Sequence, residues 1–160
     1  MKTYKFKLKL TKKQENTCKS WINSCRSLYN LALNERIMVY EMRKKSVSKY
    51  DQYNQLPELK KLYPWLGEVY SDTIQEVLDR LDKTYQNFFR GAGFPKYSKK
   101  GEYNSFTFKR SFKVNEKTIK LPKIGEVKYY NSRAILGTPK TATIIKEDNS
   151  WFICITAEYE

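Results

Sequence analysis

The chain contains no histidine. Without an imidazole, a Ser–His or Cys–His catalytic pair cannot be assembled, and histidine-based acid–base chemistry is excluded. Cysteine is scarce as well: Cys18, Cys25 and Cys154 make an odd count with no C-x-x-C pair. That argues against a disulfide framework and, with no histidine, makes a zinc site implausible. Cys18 and Cys25 stand seven apart, on one side of a helix, and read as small core residues. No cofactor is implied. Apolar runs stay far short of the ~18 residues of a membrane span. "MKTYKFKLKL" alternates instead of forming the apolar core of a signal peptide, so the chain reads as cytoplasmic, with no membrane partner.

Acid is the other shortage. Seventeen Asp and Glu face thirty-one Lys and Arg, a net charge of +14 over 160 residues. The distribution is uneven. Residues 1–20 hold seven Lys against Glu15, and from Arg90 to Arg133 twelve Lys and Arg face three acids. From Asp51 to Asp82 the sign reverses, with seven acids against Lys60, Lys61 and Arg80. Clustered lysine interleaved with tyrosine and phenylalanine is the footprint of a protein that grips a phosphate backbone. With 40% hydrophobic and 15% aromatic residues, the chain has enough apolar material for one real core or two small intertwined ones.

Periodicity divides the chain into blocks. Tyr4, Phe6, Leu8 and Leu10 alternate with Lys5, Lys7 and Lys9, predicting a half-buried strand with a basic outer face. Thr11 and Gln14 form a T-x-x-Q capping box. Behind it Cys18, Trp21, Ile22, Cys25, Leu28, Tyr29, Ala32 and Leu33 recur at helical steps, predicting a helix from about Lys12 to about Lys44. Ser48 and Asp51 cap a second helix over 49–62, and a third runs from about Asp72 to Arg90, ended by "GAG". After Gly93 the period becomes two, with strands predicted at 103–113, 117–121, 126–130, 140–147 and 151–158, and "EDNS" as a hairpin turn. The first strand lacks a partner until residue 103 or later. An α+β fold follows: a small β-barrel of residues 1–10 and 92–160, with a helical subdomain of residues 11–91 inserted after its first strand.

Eight strings then fall into a known order: "YKFKLKLTKKQ", "CRSLYNLALNER", "LPELKKLYPWLGEV", "LDKTYQNFFRG", "GFPKYSKK", "SFTF", "IKLPKIGEVK" and "SWFICITAEYE". Together they resemble the N-terminal half of the TnpB (OrfB) proteins, transposon-encoded RNA-guided nucleases similar to small type V CRISPR effectors. The resemblance implies an oligonucleotide-binding-type wedge barrel carrying an inserted three-helix recognition domain. It also implies that the catalytic carboxylates of a RuvC-like nuclease domain lie beyond Glu160, so that these 160 residues are no enzyme by themselves. The acids of the third helix, Asp72, Glu76, Asp79 and Asp82, read as a solvated face and not as a metal-binding set.

In that family the wedge and recognition domains hold the scaffold of a guide RNA and read a short target-adjacent motif in double-stranded DNA, leaving sequence matching to the guide. By position within the matched strings, the resemblance assigns motif reading to Tyr50, Tyr53, Ser71, Gln75, Thr107 and Phe108. Phe108 departs from the asparagine of some relatives. RNA and phosphate contact is expected along "GFPKYSKKGEYNSFTFKR", through Lys96, Lys99, Lys100, Lys109 and Arg110, with Tyr97 and Tyr103 stacking on bases. Lys120, Lys123 and Lys128 extend the basic face. The expected function is a guide-RNA-binding and motif-recognition module, whether truncated, split from its nuclease or domesticated as a regulator. The alternative is a protein-interaction module that pairs with an intact relative or a separate nuclease half.

Overall fold

The computed structural model describes residues 1–159. Three helices and seven strands follow in the order β1 (Lys2–Lys9), α1 (Lys12–Arg43), α2 (Lys49–Leu62), a 3₁₀ turn (Pro64–Glu68), α3 (Ser71–Phe89), β2 (Ser105–Phe108), β3 (Lys113–Val114), β4 (Thr118–Leu121), β5 (Gly125–Tyr129), β6 (Thr138–Glu147) and β7 (Ser150–Glu158). They form two compact units, Met1–Ile22 with Asn104–Glu160, and Asn23–Tyr103.

In the first unit all strands join one antiparallel sheet, ordered β2-β6-β7-β1-β5-β4-β3. β1 lies at its centre, with Lys5 opposite Cys154 of β7 and Leu8 opposite Tyr129 of β5. Strict alternation decides its two faces: Tyr4, Phe6 and Leu8 are buried, while Lys5, Lys7 and Lys9 are exposed. The buried face continues through Phe106, Phe108, Ile119, Val127, Ile144, Ile153 and Ile155, and Trp21 of α1 packs its ring on Phe106 and Phe108 at 5.3 and 5.9 Å. The start of α1 is fixed by the predicted capping box, Gln14 N donating to Thr11 Oγ1 and Thr11 N to Gln14 Oε1, both at 3.1 Å.

The expected barrel is rolled but not closed. β2 and β3 end opposite edges of the sheet, yet only residues 109–112 separate them in the chain. That link spans at most about 18 Å, whereas six strand spacings in a flat sheet measure about 29 Å. The sheet must therefore curl its edges toward each other. With four and two residues, β2 and β3 are too short to complete a seam. The single strand expected over 103–113 is broken at the same place, where Ser111 adopts a positive φ of 65°.

The second unit holds its helices around a buried polar centre. Arg36 of α1, 8% exposed, donates to Gln52 Oε1 of α2 at 3.1 Å and to Asp82 Oδ1 of α3 at 3.3 Å. Its guanidinium also stands 4.9 Å from the centre of the Tyr85 ring. Gln52 in turn donates to the carbonyl of Ala32 at 2.9 Å. One cation thus ties three helices, in a setting where an unpaired charge would be costly. Around it Leu28, Leu33, Leu56, Leu66, Ile74, Leu78 and Leu81 are buried. α2 begins at the capping box read from the sequence, Asp51 N to Ser48 Oγ at 3.1 Å and Ser48 N to Asp51 Oδ2 at 3.0 Å.

Candidate nucleic-acid interface

Within the helical unit, the N-terminal turns of α2 and α3 place four of the expected motif-reading residues. Tyr50 is 65% exposed and meets Tyr53 edge-on, ring centres 5.7 Å apart. Tyr53 is half-buried because its hydroxyl donates to Asp79 of α3. Ser71, exposed at the start of α3, accepts from Lys60 Nζ at 3.2 Å. Gln75 is half-buried one turn further on. Ser71, Gln75 and Asp79 follow at four-residue steps and so share one side of α3. The Tyr53–Asp79 bond brings the tyrosine pair to that side. Lys60 was not singled out by sequence reasoning, and Asp79, expected on a solvated acidic face, is half-buried and bonded to Tyr53 instead. They act here as the partners that hold Ser71 and Tyr53.

The segment 96–103, in the same unit, is pinned to α1. Asn30 binds Ser98 twice, Nδ2 to the carbonyl at 2.9 Å and Oδ1 from the amide at 2.8 Å. Asn34, one turn along, accepts the Tyr97 hydroxyl at 3.0 Å. Lys99 N donates to Glu102 Oε1 at 2.7 Å, closing the turn at Gly101, whose φ is +92°. The backbone is thus fixed while Lys96, Lys99 and Lys100 point to solvent and Tyr97 remains 49% exposed. Beside Tyr97 lies an open depression of about 340 Å³ that also includes Tyr29, Arg80 and Lys96. Asn30 and Asn34 were missed by the sequence reading. Their only signal was two amide side chains one turn apart on α1.

Tyr103 differs from its expected role. It is 7% exposed, packed against Tyr29 at 5.9 Å, with Arg80 5.3 Å from its ring centre. Burial pushes its phenol well above the ordinary tyrosine range. So little of the ring reaches solvent that it offers no face to a base.

In the sheet unit, alternation separates Thr107 from Phe108. Thr107 lies on the outer face, its hydroxyl 2.8 Å from that of Thr143 on β6. Phe108 is fully buried against Trp21 and Phe106. Its ring is a core group, so the motif contact expected through that side chain does not hold. Lys109 is half-buried, and Arg110, Lys120, Lys123 and Lys128 are exposed. Lys123 turns the chain between β4 and β5 with a φ of 65°. The expected DNA-facing and phosphate-facing residues therefore fall in both units.

The acids of α3 are engaged with neighbours within their own unit. Glu76 holds Arg80 at 2.7 Å, Asp79 holds Tyr53, and Asp82 holds Arg36 and Gln86. Among the described residues no group of three or more Asp, Glu or Cys side chains is placed to hold a metal ion. Burial pushes the thiols of Cys18 and Cys25 up to about 12, so neither is a nucleophile at neutral pH. Among the described residues no helix is long and apolar enough to cross a membrane.

Two comparisons bear on this arrangement. A family model described as a helix-turn-helix domain, of the OrfB proteins of IS605-type elements, matches residues 1–45. In this chain those residues form β1 and a single 32-residue helix. The chain is also 30% identical, over 165 aligned positions and along its whole length, to InsQ of Escherichia coli K12, a protein named as an RNA-guided DNA endonuclease. The chain spans 41% of that relative's length.

Proposed function

Because the chain belongs to the TnpB/OrfB family, we propose that it holds a guide RNA and reads a short motif in duplex DNA for an RNA-guided nuclease. In this reading the sheet unit is the wedge, an open relative of the oligonucleotide-binding barrel, and the helical unit is the recognition domain. Tyr50, Tyr53, Ser71, Gln75 and Thr107 contact the DNA motif. Lys96, Tyr97, Lys99, Lys100, Lys109, Arg110, Lys120, Lys123 and Lys128 grip RNA. The 160 residues need no catalytic group of their own, since they position nucleic acid and leave strand cleavage to a nuclease domain.

The observation that carries this reading is the alignment with the RNA-guided endonuclease along the whole chain. Chemistry supports the assignment of roles. A glutamine amide pairs bidentately with an adenine edge, whereas lysine binds phosphate without regard to sequence. The test is titration of the purified chain with a structured RNA at several salt concentrations. We expect tight binding whose logarithm falls linearly with the logarithm of salt, from counterion release. Affinity no greater than that of a neutral protein, or unaltered between low and high salt, refutes the reading.

A further inference from the structure

The outer face of one half of the sheet carries lysines that the fold sets against each other. Lys9 of β1 lies directly opposite Lys128 of β5. Lys113 of β3 lies directly opposite Lys120 of β4. Directly opposed residues of antiparallel strands share a face, their Cβ atoms only about 4.5–5.5 Å apart, and like charges so placed destabilise the sheet. All four side chains are exposed, as is Lys7 beside them. None forms an ion pair among the described residues; Lys5 alone on β1 does, with Glu147 at 2.6 Å. The face carries one acid, Glu126, opposite Lys120. Next to Lys7, Tyr130 stands 54% exposed, its amide bonded to the Lys7 carbonyl at 2.9 Å.

A sheet under no demand but stability would place acids, not lysines, opposite Lys9 and Lys113. From this we infer that the β1-β5-β4-β3 face is an RNA-backbone site, in which phosphates seat between Lys9 and Lys128 and between Lys113 and Lys120, with Tyr130 offering a ring to an adjacent base. This rests on the RNA-binding function proposed above and assigns it a surface, adding Lys7, Lys9, Lys113 and Tyr130 to the lysines already named. The pairs are two strand spacings apart across the sheet and two residues apart along it, roughly 12 Å in all. A single phosphate ion cannot bridge that distance, whereas a polyphosphate chain or a nucleic-acid backbone can. Binding also removes the repulsion within each pair, so the ligand stabilises the fold as it docks.

The test uses the full 160-residue chain and the variants Lys9→Gln and Lys113→Gln, with Lys45→Gln, an exposed lysine of the helical unit, as the control for loss of one charge. In low salt without ligand, each face variant should melt about 1–3 °C above the control. Inorganic polyphosphate should raise the Tm of the wild-type chain, and orthophosphate at equal ionic strength should not. The double variant should lose most of that rise. In RNA titrations each face substitution should flatten the salt slope by about 0.7–0.9. Face variants that melt with the control and keep both responses overturn the inference. RNA binding with slopes indifferent to Lys9 and Lys113 leaves the proposed function standing and removes this site. Polyphosphate stabilisation that depends on these lysines, in a chain that binds no RNA, upholds the polyanion site and removes the RNA reading.

Discussion

Replacing Arg36 with methionine should unfasten the helical unit from its centre. Methionine follows the aliphatic stem of arginine, so little packing is lost and the change isolates the guanidinium. That group is 8% exposed and makes two polar contacts, to Gln52 at 3.1 Å and to Asp82 at 3.3 Å, besides its place over Tyr85. A hydrogen bond to a charged group contributes about 1.5–3 kcal/mol, and the cation–π contact adds about 0.5–1. Breaking a buried ion pair from one side costs about 3–5 kcal/mol. The lower end applies here, because Asp82 is 19% exposed and keeps a second donor, Gln86 Nε2, at 2.8 Å. The expected loss is about 3 kcal/mol. With a urea m-value of about 1–3 kcal/mol/M, the midpoint followed by far-UV circular dichroism should fall by about 1–3 M. Asp82→Asn alone should cost less, and the double variant should show a coupling of about 0.5–3 kcal/mol. A loss below about 1 kcal/mol in Arg36→Met would show that the guanidinium is peripheral and that apolar contacts alone hold the three helices.

Removal of residues 150–160 takes β7 from between β6 and β1, which splits the sheet; the truncated chain should aggregate or melt without cooperativity, and a soluble, cooperative truncation would contradict the strand order. At pH 8 a thiol reagent should label Cys154 before Cys18 and Cys25, whose buried thiols are pushed up to about 12; uniform labelling of the three in the folded chain would refute their burial. Asp51 is held below the usual carboxylate range by the Ser48 backbone and side chain, so its contribution is present above about pH 4 and fades as pH falls through its folded value. The stability gap between wild type and Asp51→Asn should therefore close in acid, and a gap constant down to pH 2 would deny the cap. Gln75→Ala and Tyr53→Ala should relax DNA-motif choice by about 1–3 kcal/mol for a lost base contact while leaving RNA affinity intact, and Lys99→Ala with Lys100→Ala should weaken all sequences alike; the reverse pattern would exchange the roles assigned to them.

Local chemistry was the legible part of the sequence. Thr11 with Gln14 and Ser48 with Asp51 mark helix starts because a capping box is completed within four residues. α1 was legible to within a residue because its apolar stripe is long. The alternation of β1 told which side chains face inward. Pairing was not legible, since nothing in "KFKLK" states that Lys9 will stand opposite Lys128. That register depends on contacts made across the whole chain. Phe108 was misplaced because the family pattern outweighed the local one. In "SFTF" a period of two already sends Phe106 and Phe108 inward and Thr107 outward. Tyr103 had no such clue. It stands in an irregular stretch, where burial is set by Tyr29 and Arg80 from distant helices. The α+β reading held, but the barrel expectation missed the open seam, which Ser111 and the two short edge strands create.

The central place of β1 also governs the order in which the chain can assemble. Its partners, β5 and β7, are made only after more than a hundred further residues. At a synthesis rate of about 5–20 residues per second, β1 waits roughly 6–24 s on the ribosome before Tyr129 emerges to meet Leu8. The helices between them close on short-range contacts and fold during that interval, while the sheet pays the loop entropy of a long connection. An unpaired strand exposing Tyr4, Phe6 and Leu8 for so long is open to aggregation. Lys5, Lys7 and Lys9 interrupt its apolar residues at every second position, so the charge repels other nascent chains. The lysines that face outward in the finished sheet therefore serve first as gatekeepers of a strand that must wait for its neighbours.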